Sequence, residues 1–291
     1  MARPGPSADA AGMGSLGGKV AVVTGATGAM GEAIAHRLAR DGATVVGVGR
    51  GADRGALAVQ RIRADGLRAD FVAADLSRED EVAAVVDTAA QRYGTVDIVV
   101  NNAASLDAST RESAAHLEPT QTFDAILKVG LYAPFWLAKY AAPVMIAGGR
   151  GGLFVAISSY ASARGVAGIP AYTASKGGLE ALTRQLAAEY AEHAIRANNL
   201  VLGSIAVPRN ADLHSNQTMA DALRNARMTY NPGTPADVAA AVAFLASDEG
   251  CFITGATLNV DGGLLAKAPV LRVAQRATRN AATALHAGKG D

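Results

Sequence analysis

The chain has 291 residues, 27 Lys+Arg against 26 Asp+Glu, and is 50% hydrophobic but only 5% aromatic. A net charge of +1 with no dense basic segment leaves nothing to grip a phosphate backbone, which argues against a nucleic-acid partner. No apolar run approaches the ~20 residues that cross a bilayer and no charged-then-apolar leader opens the chain, so a cytoplasmic protein with no membrane partner is expected. The single Cys251 rules out an intrachain disulfide, and the scattered His36, His116, His193, His214 and His286 suggest no metal site.

Residues 1–18 hold Pro4, Pro6 and scattered Gly, Ala and Ser without an apolar period, and are expected to form a flexible N-terminal arm. From Lys19 onward, short apolar runs alternate with longer amphipathic ones: 20–23 then 32–40, 44–48 then 54–64, 71–73 then 79–92. The rhythm continues through 98–100, 123–146, 153–157, 172–192, 197–201, 236–246 and 257–260. The short runs are Val-rich and too brief for buried helices, which argues for strands covered on both faces. Repeated strand–helix alternation predicts an α/β fold, a Rossmann-like doubly wound parallel sheet in a single domain over 19–263. The stretch 203–232 breaks the rhythm with Pro208, mixed polarity and a short helical pattern around 219–228, and reads as a lid segment. Its Leu213, His214, Met219, Met228 and Tyr230 suggest a mixed apolar pocket wall, although such residues also serve ordinary packing. Residues 264–291, with Lys267, Arg272, Arg276, Arg279 and Lys289, have little to build a core and form a C-terminal extension.

Behind the first strand stand Thr24-Gly25-Ala26-Thr27-Gly28-Ala29-Met30-Gly31, a glycine-rich turn running straight into a helix. Glycines allow the tight turn and let backbone N–H groups approach a pyrophosphate, whose charge the helix N-terminus favours. A glycine triplet alone is weak evidence. Its place between strand one and helix one makes Gly25, Thr27, Gly28, Met30 and Gly31 candidate dinucleotide contacts. The second strand ends Val48-Gly49-Arg50, with no carboxylate for the adenosine ribose and a guanidinium that can pair with a 2′-phosphate, which favours NADP(H). The alternative is NAD(H), with Arg50 in solvent and Asp53 reaching the ribose.

Tyr172 and Lys176, four residues apart, share one helix face and can act on the same substrate atom. A neighbouring ammonium stabilises phenolate and is expected to lower the tyrosine pKa. In isolation, however, such a pair is an ordinary helix surface. Ser158 and Ser159 follow the fifth strand at the carboxyl edge, where open α/β sheets bind ligands; they can bond a substrate carbonyl or cap a turn.

Taken together, these residues resemble the classical short-chain dehydrogenase/reductase family over about 19–263. The resemblance takes in the loop 24–31, Asp75-Leu76, Asn101-Asn102-Ala103, Ser159 thirteen residues before Tyr172, Lys176, Phe252-Ile253-Thr254-Gly255 and Val260-Asp261-Gly262-Gly263. It implies that Tyr172 is the proton donor or acceptor, Ser159 orients the substrate oxygen, and Lys176 binds the nicotinamide ribose while lowering the tyrosine pKa. It further implies adenine contacts from Asp75 and Leu76, a ribose contact from Asn102, and nicotinamide contacts from the backbone of Gly203 to Ile205. A homotetramer, or a homodimer if the tail blocks one interface, is implied as well, with helices 123–146 and 172–192 paired across a two-fold axis.

Three departures stand out. Ala29 occupies a usual glycine position, with Gly28 one residue early. Val207 replaces a threonine that binds cofactor phosphate, and Gly130 replaces an asparagine whose side chain helps hold a water beside the lysine. The space left by Gly130 is expected to admit a second water, so that the proton relay works but is slowed. The function expected is therefore an NAD(P)-dependent oxidoreductase interconverting an alcohol and a carbonyl on a small organic substrate. The competing reading is a catalytically impaired dinucleotide-binding regulator or scaffold, based on the same three departures. The Ser/Tyr/Lys set favours the enzyme, since a protein that only binds has no physical need of it.

Overall fold

The computed structural model describes residues 15–105 and 112–268, apart from the side chains of Leu213 and His214. Its strands are β1 (Val20–Thr24), β2 (Thr44–Gly49), β3 (Ala69–Ala73), β4 (Ile98–Asn101), β5 (Gly152–Ser159), β6 (Ile195–Leu202) and β7 (Thr257–Val260). The helices are α1 (Ala29–Arg40), α2 (Ala52–Ala64), α3 (Glu79–Tyr93), α4 (Thr120–Leu127), α5 (Ala133–Gly148), α6 (Pro170–Glu189), α7 (Ala211–Ser215), α8 (Gln217–Ala226) and α9 (Pro235–Ala246). All strands run parallel in one sheet, in the order β3-β2-β1-β4-β5-β6-β7. The architecture is a single Rossmann-like α/β domain, as the alternation predicts.

Every residue of β1 is buried, because helices cover both faces and leave no polar side for alternation to mark. On one face Ile34 and Leu38 of α1 and Val238 and Val242 of α9 pack over Ala21, Val23 and Val155. On the other, Val82 and Val86 of α3 and Leu137 and Ala141 of α5 pack over Val22, Val99 and Phe154. The chain reverses its direction of travel across the sheet between β1 and β4, which opens a crevice at the carboxyl ends of those strands.

Four local expectations change. The fold begins before Lys19: Leu16 is wholly buried and its N–H donates to Asp41 O at 2.8 Å. The 123–146 pattern is not one α-helix, since α4 and α5 flank a π-helical turn at Lys128–Tyr132 in which Ala133 N–H donates to Lys128 O, five residues back. Pro134 supplies a physical reason. It has no N–H to offer the carbonyl four residues back, that of Gly130, and its ring would crowd that carbonyl. The 172–192 helix starts earlier, at Pro170, where a missing N–H is harmless, and gives way after Glu189 to a 3-10 turn ending at left-handed Ala194. The 203–232 stretch is more helical than its sequence suggests, with a 3-10 turn at Pro208–Asn210 followed by α7 and α8.

That stretch is fastened at its far end. Met228 and Thr229 donate N–H to Gly262 O (2.7 and 3.1 Å), and Lys267 Nζ donates to the carbonyls of Asn225 and Arg227. Lys267 thus places a cation at the carboxyl end of α8, where the helix dipole favours one. The remainder of the expected arm (1–14) and C-terminal extension (269–291) lies outside the described residues. No helix among those described is long and apolar enough to cross a membrane.

Candidate active site

A cavity of about 950 Å³ lies along the carboxyl edge of the sheet, where β1, β2, β4, β5 and β6 end. Its wall brings together all the residues singled out for cofactor or chemistry: Gly25, Thr27, Gly28, Met30, Gly31, Arg50, Asp75, Leu76, Asn102, Ser159, Tyr172, Lys176, Gly203 and Ile205.

At one end the loop after β1 makes a cradle. Gly25 sits at φ +67°, a left-handed conformation that glycine adopts without strain, and a Cβ on Gly31 would run into Gly25 O. Gly28 is the N-cap of α1 and no side chain caps that end, so first-turn N–H groups remain available beside the cavity. A pyrophosphate fits such an end by charge and hydrogen bonding. The Ala29 departure leaves the turn intact, with Gly28 N–H bonded to Gly25 O at 3.1 Å.

Asn102 serves the scaffold first: its Nδ2 donates to Thr24 O at 2.8 Å, while its buried Oδ1 has no protein partner. An orphaned acceptor in a cavity wall suits a ribose hydroxyl. Arg50 and Arg54 line the cavity together where β2 ends, whereas Asp53 is not among the lining residues. Asp75 Oδ1 accepts from Ser77 N–H at 3.0 Å, and Leu76 is buried beside it.

At the other end β5 delivers Ser159 and α6 delivers Tyr172 and Lys176. Lys176 is buried, donates to Ile157 O at 2.8 Å, and stands 5.6 Å from the Tyr172 ring centre. Burial pulls its pKa down to about 8. Tyr172 departs from expectation. Burial, the dominant cause, pushes its phenol above the ordinary value, aided by Tyr160 and Glu112 and opposed by Ser159 and the charge of Arg209. Arg209 is a cation that eases phenolate formation in this arrangement, while the Lys176 ammonium bonds the Ile157 carbonyl.

The space expected at Gly130 is not open. A Cβ there would lie 2.8 Å from Ser175 Oγ and 3.0 Å from Ser175 Cβ, so the absent side chain leaves no room for an extra water on that side. Ser175 fills it, fully buried, and donates to Tyr172 O at 2.8 Å. Val207 does line the cavity; its N–H donates to Asn210 Oδ1 at 2.9 Å.

Sequence reasoning missed three residues. Arg54 follows the expected strand end by one helical turn and reaches the same cavity as Arg50. Arg209 lies in a stretch with no periodicity to orient it. Glu112, sixty residues before Tyr172, accepts that residue's N–H on Oε1 at 2.9 Å, while its Oε2 is buried without a partner. Glu112 caps α6 from a distant loop, and burial raises its pKa.

The geometry has close counterparts. The family described as Enoyl-(Acyl carrier protein) reductase matches residues 25–265. A 2-dehydro-3-deoxy-D-gluconate 5-dehydrogenase of Escherichia coli (strain K12) is 33% identical over 253 residues, covering 87% of this chain and 98% of that protein. The chain belongs to the classical short-chain dehydrogenase/reductase family. A cis-4-hydroxycyclohexanecarboxylate dehydrogenase of Sinomonas cyclohexanicum is 38% identical over 252 residues, 85% of this chain and 97% of that one. Among solved structures, a short-chain type dehydrogenase/reductase from Mycobacterium ulcerans aligns with a TM-score of 0.83 at 28% identity, over 89% of this chain and 94% of its own. A blue fluorescent protein from a metagenomic library, in complex with NADPH, aligns at 0.78 with 32% identity, over 86% and 99%. As a short-chain dehydrogenase/reductase the protein is an NAD(P)-dependent oxidoreductase that interconverts an alcohol and a carbonyl on a small organic substrate. The binding-only reading is not favoured.

Proposed function

We propose that the protein is an NADP(H)-preferring dehydrogenase/reductase in which Tyr172 moves the proton, Ser159 holds the substrate oxygen and Lys176 holds the nicotinamide ribose. The observation that carries this reading is the convergence of those three side chains with the uncapped glycine turn on one cavity. The nicotinamide supplies or accepts the hydride. In the reducing direction the Tyr172 hydroxyl gives its proton to the carbonyl oxygen while the Ser159 hydroxyl donates a hydrogen bond to that oxygen; oxidation runs the same steps backwards. The raised Tyr172 pKa keeps the phenol protonated at neutral pH, which suits the reducing direction.

The 2′-phosphate is assigned to Arg50 and Arg54, since among the described residues no carboxylate lines that end other than Asp75. Gly25, Thr27, Gly28, Met30 and Gly31 would hold the pyrophosphate, Asp75 and Leu76 the adenine, Asn102 the ribose, and Gly203 and Ile205 the nicotinamide. The relatives' names span a sugar acid, glucose and steroids, so they set small alcohols as the class and leave the choice to the pocket.

A cytoplasmic location and a symmetric homo-oligomer, tetramer or dimer, belong to the same proposal. For the oligomer the support is Tyr132, Phe135 and Ile146, large apolar side chains exposed along the π-turn and α5. The deciding experiment follows NADPH absorbance with a panel of ketones and aldehydes. Substrate-dependent oxidation is expected, and none across the panel with NADPH bound would sink the enzymatic reading.

A further inference from the structure

The cavity wall carries one cation that the cofactor contacts proposed above do not use. Among its described lining residues four are cationic, Arg50, Arg54, Lys176 and Arg209, against the single carboxylate of Asp75. Arg50 and Arg54 sit at the adenosine end and match a 2′-phosphate. Lys176 is buried and turned to the Ile157 carbonyl and the ribose position. The pyrophosphate has the N-terminus of α1. Arg209 is left over.

Arg209 stands in the 3-10 turn Pro208–Asn210, on the wall of the same cavity as Tyr172 and Ser159. It is exposed, and among the described residues it makes no hydrogen bond or ion pair. The flanking groups are spoken for: Asn210 side chain bonds Val207 N–H and Ile205 O, which pins the turn and hence the arginine's root. Its charge reaches Tyr172 and opposes, without outweighing, the effect of burial on the phenol. Leu223 of α8 lines the cavity as well, so its wall is partly apolar.

We infer that Arg209 is the anchor for a carboxylate on the substrate, and that the substrate class is an oxo acid and its hydroxy acid. The inference rests on the proposed alcohol/carbonyl chemistry of the same site. A guanidinium offers a planar fork that a carboxylate meets with two parallel bonds, fixing the distance and orientation of the remainder of the molecule. With the acid group held by the turn after β6 and the carbonyl oxygen held by Ser159 and Tyr172, a short apolar body spans between them. The rival occupant of Arg209 is the cofactor pyrophosphate, which has lost one hydroxyl partner at Val207.

The test uses the full-length protein with acetoacetate, levulinate and 4-oxocyclohexanecarboxylate, each beside its neutral primary amide, and with cyclohexanone. For the best oxo acid, wild type is expected to show kcat/KM about tenfold or more above its amide, and Arg209→Gln to bring the pair within about twofold, mainly through KM. Arg209→Lys should restore part of the preference, and NADPH affinity, read by its fluorescence, should not move. Equal use of acids and amides by wild type overturns the inference, as does turnover of cyclohexanone without any oxo acid. Weaker NADPH binding by Arg209→Gln with acids and amides slowed alike also overturns it, and assigns the arginine to the pyrophosphate. If neither ketones nor oxo acids are reduced while NADPH binds, the oxidoreductase reading itself fails and the inference goes with it.

Discussion

Gly130→Asn would place the residue common in the family at the heart of the π-turn, and the structure says that it will not fit. A Cβ at 130 comes within 2.8 Å of Ser175 Oγ and 3.0 Å of Ser175 Cβ, against the ~3.5–4.0 Å of a relaxed carbon contact. Rotating Ser175 moves only its Oγ; the Cβ is fixed to a helix that also carries Tyr172 and Lys176. Overpacking of this kind costs about 1–3 kcal/mol. In a domain of this size each kcal/mol shifts Tm by roughly 2–4 °C, so a drop of about 2–12 °C is expected by scanning fluorimetry. Turnover should fall as well, because relief pushes α6 away from its seat. Adding Ser175→Gly removes both clashing atoms at ~1 kcal/mol of helix propensity, so the double variant should recover stability relative to Gly130→Asn alone. A single Gly130→Asn variant as stable as wild type and faster would refute the packing argument and restore the water-relay reading.

Tyr172→Phe should lower turnover by about 10²–10⁴-fold with NADPH affinity unchanged, and retained activity would remove Tyr172 from the chemistry. Burial depresses the Lys176 pKa from 10.5 to about 8, so between those values the unfolded chain binds more protons than the folded one and stability rises with pH. Its contribution is therefore present above about 10.5 and lost as pH falls through about 8, a trend that urea unfolding should show and Lys176→Met should abolish. Arg50→Ala should narrow the NADP(H)-over-NAD(H) preference by roughly ten- to a hundredfold, less if Arg54 takes over, and the double variant separates the two arginines; equal use of both cofactors by wild type would place Arg50's role elsewhere.

Much of the fold was legible because both faces of a parallel sheet are buried. Val-rich runs then mark strands directly, and β1, β2, β5 and β7 fall within a residue or two of the apolar runs. What periodicity passed over was local chemistry of the backbone. The apolar pattern through 123–146 is continuous, yet Pro134 denies Gly130 its α-helical donor, and the signal for the π-turn was that single residue. Leu16 shows the converse error: flanked by glycines and serine it carries no period, but one leucine packed under the first helix suffices to start the core fifteen residues into the chain.

Site membership was legible for a related reason: residues at the carboxyl ends of strands in such a sheet must face one crevice, so spacing from the strand ends locates them. Proton affinity is a different quantity, set by what surrounds a group in three dimensions. Tyr172 and Lys176 do share a helix face, and from spacing alone the lysine was the natural cation to stabilise the phenolate. The structure bonds the ammonium to Ile157 O and leaves burial to dominate the phenol, and a further cation opposes that burial: Arg209, 33 residues beyond Lys176 in sequence and on a turn with no period at all. The same logic makes Glu112 legible only in space. Its carboxylate caps the N–H of Tyr172 across sixty residues and raises the phenol's pKa further, so two charges modulate a pKa that burial dominates, Glu112 against ionisation and Arg209 for it, neither belonging to the family's motifs. A substrate carboxylate seated on Arg209 would neutralise the favourable member of that pair and hold the phenol protonated at the moment a carbonyl lies beside it. Binding of an oxo acid would then reinforce the protonation state that its reduction requires and that burial already favours.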